Sequence, residues 1–194
     1  MPDYVTLAEF ESYVAAEMGA TDAAHRASAL AAAEAAVNQY CQRTFAVVAA
    51  NATPTARTFV PDGTPVLRIH DARAVTAVSI DGTALSATDY QLEPTTVSLT
   101  GRSEPYCQIR RLYVPWLVIT PGYASVSVTA RWGWAAVPAE VVEATKILGK
   151  DILQQRRTIG NMAQAGDFGG RVTMNTYVRQ LLTPLRRAES WGIG

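Results

Sequence analysis

Between Thr44 and Trp132 the chain gives up alanine for β-branched residues and for prolines at positions 54, 61, 65, 94, 105, 115 and 121, while both flanks are helix-forming. Each proline removes a backbone donor and fixes φ, so no continuous helix crosses this stretch and short strands joined by turns suit it. A β region inserted between helical segments, an α+β fold, is the expectation. The chain then divides into a helical part over 1–45, an inserted antiparallel β subdomain over 46–134, a long helix over 135–157 that completes the helical frame, and a flexible C-terminal arm with a short helix over 158–194.

The flanks carry specific helix signals. Thr6-Leu7-Ala8-Glu9 has the capping-box form and opens a helix that runs to about Met18 and stops at Gly19. Its apolar stripe is Leu7, Phe10 and Val14. Ala23 to Gln42 is rich enough in alanine for helix by propensity alone, with Ala27, Leu30, Glu34, Val37 and Cys41 near one face. Alanine keeps such a helix thin, so neighbours approach it closely. Pro138 suits the first turn of a further helix, on which Val141, Thr145, Leu148 and Ile152 form one stripe and Glu143, Lys146, Lys150, Gln154 and Arg157 another. Residues 158–173 carry four glycines and little periodicity, which reads as a linker or arm, and Asn175 caps a last short helix interrupted or restarted at Pro184.

Inside the β region, Thr76 to Ile80 alternates, Asp81-Gly82 is a hairpin turn, and Thr83-Ala84-Leu85 resumes the extended pattern. Val126, Val128, Ala130 and Trp132 alternate with polar neighbours as in a half-buried antiparallel strand. Further strands are expected at Arg57 to Val60, Val66 to Ile69, Tyr90 to Leu92, Thr96 to Leu99 and Gln108 to Tyr113, together making a small sandwich or open barrel. Trp116, Trp132 and Trp134 are expected to anchor this region and its junction with the following helix.

Composition excludes several functions. Seventeen Lys plus Arg balance seventeen Asp plus Glu, so there is no strongly basic domain of the kind that binds nucleic acid by counterion release. The charge is uneven, with two basic against six acidic residues over 1–55 and eight against five over 140–194, an asymmetry that in a ring or stack favours contacts between unlike surfaces. Cys41 and Cys107 form no CxxC or Cys/His cluster and are expected as idle thiols. With no leader-like start and no apolar span of about 20 residues, the chain reads as soluble and unexported.

No catalytic or metal-binding residues emerge, and no cofactor is expected. His25 and His70 are the only histidines, and His70-Asp71 has no GxSxG partner. The glycines of 160–170 lack the Lys and Ser/Thr that grip phosphate, and the acidic residues lack metal-loop spacing. Arg110-Arg111 and Arg156-Arg157 are short basic doublets, of which Arg156 and Arg157 are weak candidates for lining a channel through which DNA passes. Trp191 stands in a glycine-flanked terminus with little core to bury it, which suits an anchor for a pocket on a partner.

Four stretches carry a resemblance: Tyr4 to Phe10, Val37 to Phe45, Val128 to Trp134 followed by Val137 to Val141, and Leu181 to Arg187. In their order and spacing they resemble the head-tail adaptor (connector) family of long-tailed phages, in the form found in actinobacteriophages. The resemblance implies a portal-binding neck ring, commonly a dodecamer, in the virion. DNA passes through its lumen, and a stopper or tail-completion protein lies below. Such a protein acts by geometry and is not an enzyme. Its C-terminal arm engages the portal, which places that contact on Arg179, Leu182, Leu185, Arg186, Arg187, Trp191 and Ile193. Ala27, Ala31 and Glu34 of the alanine-rich helix, with Lys146 and Lys150 of the later one, become candidates for subunit-subunit contact. The β region is larger than in the minimal, nearly all-helical adaptors.

Three alternatives stay open. One is a neck stopper or tail terminator, usually β-dominated without a paired helical frame. Another is a small DNA-binding packaging protein, disfavoured by zero net charge. The last is an enzyme with a site near Asp89, Tyr90, Glu93 and Tyr106.

Overall fold

The computed structural model describes residues 4–18, 23–95, 104–116, 125–162 and 175–187. It is an α+β fold of two compact units, one made of 1–45 with 137–194 and the other of 46–136.

In the first unit, helix α1 (Leu7–Met18) opens on the expected capping box. Thr6 N and its hydroxyl both donate to Glu9 Oε2, at 2.9 and 2.8 Å, and Glu9 N donates back to Thr6 Oγ1 at 3.2 Å. Helix α2 (Ala23–Cys41) buries Ala29, Leu30, Ala33, Glu34, Val37 and Cys41. Ala27, placed on that face by the sequence, is exposed, because the buried stripe turns through Ala29 and Ala33. Helix α3 (Ala139–Met162) packs along α2 and buries Val141, Ala144, Thr145, Leu148 and Leu153, with Ile152 half-buried. It continues past Arg157, where the sequence reading ended it, because Gly160 only weakens a helix and does not stop one. Helix α4 (Thr176–Leu182) and a 3-10 turn (Thr183–Leu185) complete the unit.

A glycine sets the spacing of two helices in this core. A Cβ on Gly149 of α3 would stand 2.8 Å from two ring carbons of Phe10, so the missing side chain is what lets the wholly buried Phe10 of α1 lie against α3.

The second unit is a six-stranded antiparallel sheet of β1 (Thr55–Phe59), β2 (Val66–Ile80), β3 (Thr83–Ala84), β4 (Tyr90–Glu93), β5 (Tyr106–Arg111) and β6 (Val126–Trp132). The strand order is β1-β6-β2-β5-β4, with β3 folded back on β2 through the Asp81-Gly82 turn. Sequence reading split β2 in two. The structure runs it through all 15 residues, with register shifts between Arg68 and Ala72, Ala72 and Ala74, and Val75 and Ala77. These bulges bend the strand, so its first half pairs with β5 and its second half with β6.

Among the described residues this unit holds no helix, and apolar side chains of the sheet pack on one another. Leu67, Ile69, Val78, Ile109, Trp116, Val126 and Val128 form the resulting core. Trp116 Nε1 donates to Ile109 O at 3.3 Å, which satisfies the indole where it is buried. The strand expected at Thr96 to Leu99 lies outside the described residues.

Candidate assembly surfaces

The C-terminal surface is built on α4. Asn175 Oδ1 accepts Tyr177 N at 3.0 Å and starts the helix; Val178, Leu182 and Leu185 then bury one side of it. The end of the turn is tied to the end of α2. Arg187 N donates to Cys41 O at 3.0 Å, one of the carbonyls that a helix C-terminus leaves without an intrahelical partner. Tyr40 and Thr183 hydroxyls lie 3.1 Å apart, and the Arg186 guanidinium stacks 5.2 Å from the centre of the Tyr40 ring. The chain therefore leaves α4 at a fixed place, the C-terminal end of α2.

This arrangement places the residues of the expected portal-facing set differently from one another. Leu182 and Leu185 are buried in the chain's own core, because a short amphipathic helix beside longer ones lays its apolar side inward. Arg179 and Arg186 are exposed and Arg187 is half-buried; the outer side of α4 also shows Tyr177, 52% exposed, beside Gln180 and Pro184. Trp191 and Ile193 lie outside the described residues.

The expected subunit-contact set divides in the same way. Ala27 and Ala31 are exposed on α2, and Lys146 and Lys150 are half-buried on α3. Glu34, however, is 4% exposed and its Oε1 accepts Tyr4 N at 2.7 Å, so it is not a surface residue. It belongs to a latch that sequence reading missed. The Tyr4 hydroxyl donates to Asn38 Oδ1 at 2.6 Å and accepts Phe45 N at 2.9 Å, and the Tyr4 ring meets the Phe45 ring edge-on. Burial raises the Tyr4 phenol above its ordinary pKa. Of the basic doublet, Arg156 donates from Nη1 to Ser28 Oγ at 3.2 Å, tying α3 to α2, and the side chain of Arg157 lies outside the described residues.

In the β unit, the Arg57 guanidinium lies 4.7 Å from the centre of the Trp132 ring and 3.1 Å from His70 Nδ1, and Phe59 packs against both rings. Asp71 points elsewhere and accepts the Trp134 indole N–H at 3.1 Å. Around the acidic and aromatic residues of the enzyme alternative, Glu93 pairs with Arg110 across β4 and β5, and burial raises the Tyr90 phenol. Among the described residues no three His, Cys, Asp or Glu side chains gather as a metal site would require, and no helix is long and apolar enough to cross a membrane. Leu112-Tyr113-Val114, between β5 and the buried Trp116, forms an exposed apolar tip, with Tyr113 80% exposed. The strand expected over Gln108 to Tyr113 ends at Arg111, which leaves Leu112 and Tyr113 in this tip with Val114.

No protein-family model and no curated protein matches this chain. Solved structures do match over nearly its whole length. A chain in the neck of an empty gene transfer agent (GTA) particle, computed with C6 symmetry, is 18% identical with a TM-score of 0.59, covering 97% of this chain and 92% of that one. A chain in the virion of the native particle gives 19%, 0.55, 97% and 92%. One in the neck of the native particle, computed with C12 symmetry, gives 20%, 0.53, 96% and 90%. At these identities the likeness is one of fold: both units of this chain, and not the helices or the sheet alone, have their counterpart in a chain of those particles.

Proposed function

We propose that this chain is a structural head-to-tail adaptor of a tailed bacteriophage or phage-like particle. Copies of it form a ring in the virion neck that docks on the portal, joins it to the tail, and leaves a lumen for DNA. The observation that carries this reading is the end-to-end fold likeness to chains of GTA particles, two of them in reconstructions of the neck. The presence of a paired helical frame in addition to the sheet favours an adaptor over a β-dominated stopper or terminator. The placement of α4 supports a portal contact made by the exposed Arg179, Tyr177 and Arg186 together with the tail that holds Trp191 and Ile193.

Photo-cross-linking from position 191 in purified particles tests the assignment. The expected product joins this chain to the portal protein. Products with tail-tube protein alone would contradict the adaptor reading.

A further inference from the structure

We infer that Arg57, stacked on Trp132, is a docking point for a carboxylate carried by another protein chain of the particle. The inference rests on the neck reading above and deepens it by naming the chemistry of one contact. In the β unit, Arg73, Arg110 and Arg131 donate to oxygens of their own chain, on Val48, Glu93 and Ala52. Arg57 is held differently. Its guanidinium lies 4.7 Å from the centre of the Trp132 ring, and Nη1 donates to His70 Nδ1 at 3.1 Å. An arginine N–H can only donate, so that imidazole nitrogen accepts and brings no negative charge. Among the described residues no carboxylate meets Arg57, and its charge is fixed in place without being neutralised.

The base under it is rigid. Trp132 Nε1 donates to Thr55 O at 2.9 Å, and Phe59 and Trp132, with ring centroids 5.8 Å apart, pack against the core of the sheet. Arg57 and His70 are exposed. A stacked guanidinium has already given up rotamer freedom that binding would otherwise take, and arginine and tryptophan are the residues that most often dominate contacts between proteins. With Nη1 on His70, the fork of Nε and Nη2 remains. Arg110 shows what that fork takes, since its Nε and Nη2 grip the two carboxylate oxygens of Glu93. A phosphate would also fit, and charge decides between them. Tracking a DNA backbone takes several cations together, whereas residues 46–136 hold seven basic against six acidic residues and Arg57 is the one charged residue of β1. A single fixed cation on an aromatic base suits one carboxylate of a protein.

The test uses particles assembled from equal amounts of wild-type and Arg57→Glu full-length chain, with peptide mass spectrometry reading their ratio in the purified particle. The variant is expected to be under-represented by about tenfold or more, with Arg57→Lys, which keeps the charge and loses the fork, in between. Should thermal melts show Arg57→Glu unfolded, Arg57→Gln is read in its place. A photo-cross-linker at Thr55, which is exposed on the same side of β1 as Arg57, then identifies the partner. The expected product joins a protein segment bearing Asp or Glu, and changing that acid to Lys restores incorporation of Arg57→Glu. Equal incorporation of the variants, cross-links to DNA, or an acid-to-Lys change that restores nothing would overturn the docking point and leave the neck reading intact. Absence of the wild-type chain from the particles would overturn both.

Discussion

At the residue scale, several contacts leave little freedom for substitution. Gly149→Ala should destabilise the helical unit although alanine is the better helix former. The gain of roughly 0.5–1 kcal/mol in propensity is opposed by an overpacking cost of about 1–3 kcal/mol from the 2.8 Å approach to Phe10. Urea denaturation would show the loss, and adding Phe10→Leu should recover much of it. The Glu9 carboxylate is held below its ordinary pKa by the hydrogen bonds from the Thr6 N–H and hydroxyl. Its capping contribution is therefore complete above pH 4.5, the unfolded value, and fades as the pH falls through the lowered folded value. Wild type should lose its advantage over Glu9→Gln across that acid window in thermal melts followed by circular dichroism. Burial pushes the Cys41 thiol up to about 11, so in the native protein at neutral pH Cys107 should react with a thiol reagent well before Cys41, as peptide mapping would read. By the same linkage the neutral Cys41 favours the folded state fully below pH 9, and this is lost as the pH climbs towards about 11.

At the element scale, the two ends of the β unit are tied to each other. Val48 N donates to Trp134 O at 2.9 Å and Trp134 N to Ala46 O at 2.8 Å, while Trp134 Nε1 reaches Asp71. Gly133 has φ +135°, and a Cβ there would meet Ala46 O at 2.5 Å, so Gly133→Ala combines a forbidden backbone angle with a collision. It should cost at least about 1–3 kcal/mol in a thermal or urea melt. Because its ends meet, the isolated segment 46–136 is expected to fold alone into a β structure, checked by circular dichroism and amide exchange. Much of this scale was legible in sequence, for local reasons: the Thr6-Glu9 capping box, the Asp81-Gly82 hairpin, the Asn175 cap and the alternation of Val126 to Trp132 are short-range patterns. What escaped depends on distant partners. The 15-residue β2 looked broken because its bulges interrupt alternation, and nothing near Gly149 announces Phe10. Glu34 reads as a surface acid until the chain brings Tyr4 N to it. Leu182 and Leu185 show the same limit, since apolar residues near a terminus suit a partner's pocket or the chain's own core equally well.

At the scale of the whole molecule, the proposed function rests on the placement of surfaces. Seventeen Lys plus Arg balance seventeen Asp plus Glu, so the contact with DNA in the proposed lumen is expected to be passive. Leu112, Tyr113 and Val114 form an exposed apolar tip on the β unit. The central claim is that copies of this chain form a ring between portal and tail. A cryo-electron reconstruction of the neck of purified particles tests it most directly. The account predicts a closed ring beneath the portal into which the helical frame and the β unit both fit. Neck density fully explained by other proteins, with this chain absent, would contradict it.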